Sequence, residues 1–282
     1  MILPPAAAAS VLVGAALHAA WNVGLRSGAR QREATAVLAV STSLLGAAAL
    51  PFLPAPAAAA WPHLAISAVL HVVYFNLVAE AYALGAISLT YPVMRGTAPA
   101  LAAALAAVAF GERLRPAGWA GLVAISAGVS LQARRRGVEG EGRALAIALA
   151  NALVIALYTV NDGIGARLSL SPIAYALWTF VLPGVPTALI LLRGRVSRVF
   201  AEETASAILA RGAGGAACSV ASYTLALWAM TLAPIGAVAA LRESAMVFGV
   251  AFAWLFLHER PPARAILAAL TILFGAVVLD LG

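Results

Sequence analysis

The sequence contains no lysine; its eighteen basic residues are all arginine. Charge of either sign is scarce, at 10% of residues, against about 25% in a soluble domain. A soluble chain so poor in charge could not cover its apolar residues, which make up 63% of the total. The bilayer must therefore act as its solvent, with lipid as its first partner. The lone cysteine, Cys218, excludes an intramolecular disulfide. The four histidines, His18, His63, His71 and His258, include no two at metal-ligand spacing. The sequence also lacks an HExxH motif, a phosphate-cradling loop and a nucleophile elbow. Neither a metal, a cofactor nor a catalytic set is expected. The net charge of +7 raises nucleic acid as a partner, but the arginines are scattered through short loops without a basic, aromatic-interleaved stripe, which argues against it.

What the chain does have is long apolar runs. A membrane-spanning helix needs about 20 apolar residues. That ruler predicts helices near 6–25, 34–53, 64–84, 88–110 and 117–132, then near 144–164, 173–192, 208–231, 235–257 and 263–281. Residues 1–9 lack a basic lead, and the first apolar run is long enough to span, so it reads as an uncleaved helix and not a signal peptide. Pro54 and Pro56 close the second helix, and Pro261 and Pro262 separate the ninth from the tenth. The abundant Ala and Gly suit membrane helices that pack by close backbone approach; Gly118, Gly121, Gly128 and Gly275 are predicted at such contacts.

The chain divides into two related halves, 1–133 and 144–282, joined by a charged linker over 134–143. Glu112-Arg113 near the end of the fourth helix and Glu259-Arg260 near the end of the ninth stand 147 positions apart. The same spacing relates Arg95 to Arg242 and Gly128 to Gly275. Five helices is an odd number, so the second half should cross the membrane in the opposite sense to the first. Inverted repeats around a midplane site characterise secondary transporters.

These residues resemble a known family. Gly111-Glu112-Arg113-Leu114 and Glu259-Arg260 look like the drug/metabolite transporter superfamily, in particular its ten-helix EamA type. Local patterns strengthen the resemblance: His18, Trp21 and Asn22 in helix 1; His71, Tyr74 and Tyr82 in helix 3; Tyr91, Pro92, Arg95 and Gly96 in helix 4; Tyr158, Asn161 and Asp162 in helix 6; Arg242, Glu243 and Ser244 in helix 9. The resemblance covers nearly the whole chain. It implies an all-α polytopic transporter of ten helices that exports or exchanges amino acids, other small metabolites or drugs. It does not specify the substrate.

The polar residues inside the predicted spans are the candidate substrate contacts, each with a structural alternative. His18, Trp21 and Asn22 share a face of helix 1, which either contacts substrate or bonds a neighbouring helix; Trp21 could also anchor at the membrane interface. His71, Tyr74 and Tyr82 form a stripe on helix 3 that either lines a cavity or packs as an aromatic seam. Tyr223 and Trp228 fall where helix 8 repeats helix 3. Arg95, one turn from Tyr91, and Arg242, beside Glu243, suit a carboxylate or phosphate that a guanidinium grips with two parallel bonds. The alternatives are snorkelling, or structural pairs Arg95–Glu80 and Arg242–Asp162. Pro99 removes the helical partner of the Arg95 carbonyl, which should loosen or kink helix 4 there. Tyr158 and Asp162 lie one turn apart near the end of helix 6, where Asp162 either carries a proton, pairs with an arginine or meets solvent.

Thirteen of the arginines fall in the loops and adjoining helix ends on one side, so the positive-inside rule puts both termini outside; the family resemblance favours both inside. The reading that joins these observations is a secondary transporter in the cell (inner) membrane, not an enzyme, acting as a monomer or homodimer. It would export a small polar metabolite by alternating access, with a proton as one candidate coupling ion. The competing class is a non-transport membrane protein, such as an intramembrane lipid-modifying enzyme or a structural or sensor subunit.

Overall fold

The computed structural model describes residues 3–25, 31–83, 87–111, 114–131, 133, 141–193, 205–258 and 262–281. Among them there is no strand. The helices are α1 Pro5–Leu25, α2 Gln31–Ala49, α3 Trp61–Ala83, α4 Ile87–Phe110, α5 Pro116–Ser130, α6 Glu141–Leu168, α7 Pro172–Leu192, α8 Ala205–Leu232, α9 Ile235–Leu241, α10 Ala245–Leu257 and α11 Ala263–Leu281. Among the described residues, seven segments are long and apolar enough to cross a membrane, and α9 and α10 together make one of them, Ile235–Phe256. Pro5–Ala20, Pro116–Ser130 and Ala263–Leu279 are shorter apolar helices.

The bundle sets a few polar groups within a largely apolar interior and presents apolar side chains outward. Val69, Val108, Leu189, Phe256, Phe274 and Val277 are exposed, whereas His71, Asn151, Asp162 and Glu243 are buried. An outer surface of this kind is stable only against lipid, and an ionisable residue in such a chain turns inward.

The interior is fixed by five sets of contacts. α5 packs on α11, α2 on α7, α1 on α8, and α3 and α4 both pack on α6; α4 also meets α9. The α5–α11 contact rests on absent side chains. A Cβ added to Gly121 would lie 2.5 Å from the Leu279 backbone nitrogen and 2.6 Å from the Gly275 carbonyl oxygen. At Gly128 it would come within 2.8 Å of Ile272, and at Gly275 within 2.8 Å of the Gly121 carbonyl oxygen. Three of the four predicted glycines therefore seat backbone against backbone. Gly118 does not: its neighbour is Leu114, just ahead of the same helix. Gly121→Ala is expected to cost about 1–3 kcal/mol, because the atom it meets is backbone and cannot swing away. Gly118→Ala should be close to neutral. Thermal unfolding of the two variants in detergent micelles tests the contrast.

One expectation about the helices is corrected. Helix 9 is not continuous: Arg242–Ser244 forms a 3-10 turn between α9 and α10. That turn contains neither Pro nor Gly, so nothing local announces it. Helix 4 runs from Ile87 to Phe110 with Pro92 and Pro99 inside it, and Pro99 leaves the Arg95 carbonyl without its helical donor. The Glu112-Arg113 and Glu259-Arg260 motifs and most of the 134–143 linker lie outside the described residues.

Candidate functional site

Arg95 is the ninth residue of α4, roughly 12 Å along the helix from its start. Arg242 is the eighth residue of the Ile235–Phe256 span, roughly 10 Å in. The hydrocarbon core is about 30 Å thick, so both guanidinium groups originate well inside it.

Arg95 is held by a carboxylate of the interior. Its Nε donates to Glu243 Oε2 at 3.1 Å, and its Nη2 lies 2.8 Å from Glu243 Oε1. The two side chains retain 13% and 4% of their exposure. This two-pronged pair bridges α4 to the 3-10 turn that divides the ninth span, and a charge-assisted fork of this geometry is among the stronger polar contacts available. A mid-helix 3-10 turn often marks a functional hinge, and here it presents Arg242, Glu243 and Ser244 together. The Arg95–Glu80 alternative is not realised. Glu80 instead lies 3.2 Å from Arg143 at the exposed end of α3.

Arg242 does not pair with Asp162. Its guanidinium carbon stands 5.1 Å from the centre of the Tyr223 ring, within reach of the negative face of the aromatic system. Tyr223 is fixed in turn, donating its hydroxyl to Asp162 Oδ2 at 2.6 Å. Asp162 is fully buried because α6 runs on to Leu168, so it is neither near the helix end nor in solvent. It also accepts from Tyr175 at 3.3 Å and from Asn161 Nδ2 at 3.1 Å. Asn161 then ties α6 to α3, donating to the His63 carbonyl at 2.9 Å and meeting His63 Nδ1 at 2.9 Å.

An aromatic group closes the site. His71 stacks near Tyr158 at 4.4 Å between ring centres, Tyr74 meets Tyr158 at 5.6 Å, and Phe180 meets Tyr223 edge-on at 5.8 Å. The His71 ring is oriented by the Ser67 carbonyl, 2.9 Å from Nδ1. His18 and Tyr158 both lie close enough to Arg95 and Arg242 to feel their charges, and Tyr91 and Tyr74 face Arg95. Tyr74, Tyr91, Arg95 and Arg242 are only part-buried, so the group is not sealed on every side. The small cleft lined by Asn76, Glu80, Leu191 and Arg193 lies apart from it, towards the end of α3.

The structure thus gathers His18, His71, Tyr74, Tyr91, Arg95, Tyr158, Asp162, Tyr223, Arg242 and Glu243 around one centre. Trp228 is not brought in: among the described ring contacts it has none. The side chains of Trp21, Asn22 and Tyr82 lie outside the described residues. Sequence reasoning missed Tyr175, Phe180 and the His63–Asn161 bridge. A signal existed for Tyr175: its ring packs directly on Gly165, where any side chain would collide with it, and Gly163 and Gly165 flank the turn after Asp162.

The sequence profile of the EamA-like transporter family matches residues 142–280. Residues 142–280 thus form an EamA-like transporter domain. Members of this family are membrane transporters, and the matched region carries Tyr158, Asp162, Tyr223, Arg242 and Glu243 of the site. A crystal structure described only as that of a protein is similar over 97% of this EamA-like chain and 98% of its own, with a TM-score of 0.74 and 20% identity. At that identity the likeness shows the fold alone, and it extends through both halves. No curated protein matches the sequence.

Proposed function

We propose that this EamA-like chain is a secondary transporter that exports a small polar metabolite, an amino acid or related compound, across the cytoplasmic membrane by alternating access. The observation that carries the reading is the meeting of two arginine-bearing segments, α4 and the broken ninth span, at one polar and aromatic centre inside an apolar bundle. Polar groups in such an interior are expensive to bury and mark a ligand pathway by default.

Two inverted five-helix repeats would supply the motion. Counting α9 and α10 as one span gives ten, five on each side of the linker. The contacts respect that division. Exchanging each helix for the one five spans later turns the α1–α8 contact into the α6–α3 contact. It turns α3–α7 into α8–α2, and it returns α5–α11, α2–α7 and α4–α9 to themselves. These shared contacts support a pseudo-two-fold relation between residues 1–133 and 144–282, while α7–α8 and α6–α8 are particular to the second half. In such a fold the two halves trade conformations to move the opening from one side to the other.

In this reading His18, Tyr74, Tyr91 and Tyr158 shape the seat, Arg95 and Arg242 set its charge, and Asp162 fixes the ring of Tyr223. The test is flux into or out of proteoliposomes across a panel of amino acids, carboxylates, sugars and nucleosides, with and without an imposed pH gradient. Saturable flux of at least one compound above protein-free vesicles is the expected result. Monodisperse protein that moves none of them would sink the reading, while a pH-gradient effect would identify the proton as coupling ion.

A further inference from the structure

The two arginines of the site are not equivalent. Both oxygens of Glu243 are engaged by Arg95. Arg242 has its ring contact with Tyr223 and no carboxylate partner or hydrogen bond among the described residues, although it is only part-buried. The 147-residue spacing that relates Arg95 to Arg242 also relates Gly96 to Glu243. The symmetric mate of the internal carboxylate is therefore a glycine. Nor could a side chain stand there without movement: a Cβ at Gly96 would lie 2.6 Å from the Ser130 hydroxyl and 3.0 Å from the Ser126 carbonyl oxygen. The first arginine has its counter-ion built in, and the second has a counter-ion position closed by α5.

We propose that Arg242 is the seat for the carboxylate of the transported compound, and that the Arg95–Glu243 pair is a fixed neighbour and not the binding fork. This rests on the transporter reading above and adds the class of ligand and the residue that grips it. A guanidinium that starts roughly 10 Å inside a membrane span favours an anionic partner, and Tyr223, anchored by Asp162 at 2.6 Å, holds this one in place. One planar fork with Glu243 and Asp162 close by suits a planar monoanion, which accepts two parallel hydrogen bonds; a phosphate dianion would meet more repulsion from the two carboxylates. The rings of Tyr74, Tyr158 and His71 provide an apolar wall for the remainder of the ligand.

The test uses the purified full chain in detergent micelles, at constant ionic strength set with chloride. The probes are acetate and benzoate, with benzamide as neutral control and phenyl phosphate as the phosphate arm. Saturable rises in unfolding temperature with both carboxylates, and none with benzamide, are the expected result. Arg242→Gln should weaken carboxylate binding at least about tenfold, and Arg242→Lys, which keeps the charge and loses the fork, should weaken it less. Arg95→Gln combined with Glu243→Gln removes the neighbouring pair without leaving a lone charge, and should weaken carboxylate binding less than Arg242→Gln does. No shift with either carboxylate in the parent chain overturns the proposal. So does binding lost in the double variant but kept in Arg242→Gln, or phenyl phosphate binding tighter than benzoate. The outcome is separable from the transporter reading: flux without carboxylate binding defeats the seat alone, and binding without flux of any compound defeats transport alone.

Discussion

Arg95→Ala is expected to lower the stability of the folded chain by about 3–5 kcal/mol, because it leaves the Glu243 carboxylate buried without its cation. Glu243, with 4% of its side chain exposed, has no water to fall back on. The reciprocal variant, Glu243→Ala, should cost a similar amount. The double variant should recover part of the loss, since it removes both charges and with them the unpaired group. The Glu80–Arg143 pair provides the internal control. Its side chains are 42% and 70% exposed, and an exposed pair is worth about 0–1 kcal/mol, so Glu80→Ala should leave stability nearly unchanged. Unfolding in detergent micelles reads all four variants. A loss in Glu80→Ala matching that in Arg95→Ala would put the structural pairing where the ion pair is not.

The second large effect is expected at Asp162. Removing its carboxylate as Asp162→Ala leaves the hydroxyls of Tyr175 and Tyr223 and the amide of Asn161 without their shared acceptor. Each unsatisfied buried donor costs about 1–3 kcal/mol, so a destabilisation of roughly 3 kcal/mol or more follows. Asp162→Asn should be milder, because its amide keeps one acceptor oxygen and the tyrosine hydroxyls can rotate to accept. Tyr223→Phe separates structure from function: it removes one hydrogen bond and leaves the ring on which Arg242 rests. It should therefore cost less stability than Asp162→Ala while loosening the position of Arg242. Equal stability of Asp162→Ala and the parent chain would contradict the network.

Much of this arrangement is written in composition and spacing. Apolar runs of spanning length locate the helices, because hydrocarbon thickness sets their length independently of packing detail. The helix faces carrying His71 and Tyr74, and Tyr158 and Asp162, point to the centre because a polar stripe has nowhere else to go in lipid. Glycines 121, 128 and 275 are legible for the same reason that small residues let backbones touch. What is not legible is pairing between distant segments. The sequence offers Glu80 as the partner of Arg95, and only the three-dimensional fold selects Glu243 instead. The break at Arg242–Ser244 has no Pro or Gly to mark it; it accompanies a tertiary contact, and a linear reading extends the helix through it. Tyr175 lies on a helix whose sequence is otherwise almost wholly apolar, so its bond to Asp162 depends on the register of α7 against Gly165. Gly118 shows the converse error: a glycine at helical spacing from Gly121 that meets only Leu114.

The central claim is that the polar centre is where a transported compound binds. Flux in proteoliposomes by Arg95→Ala and Arg242→Ala, normalised to folded protein and measured with whichever compound the parent chain moves, tests it most directly. Arg242→Ala is expected to abolish saturable flux while the protein still inserts and remains monodisperse, and Arg95→Ala to impair it. Full activity in both variants would contradict it.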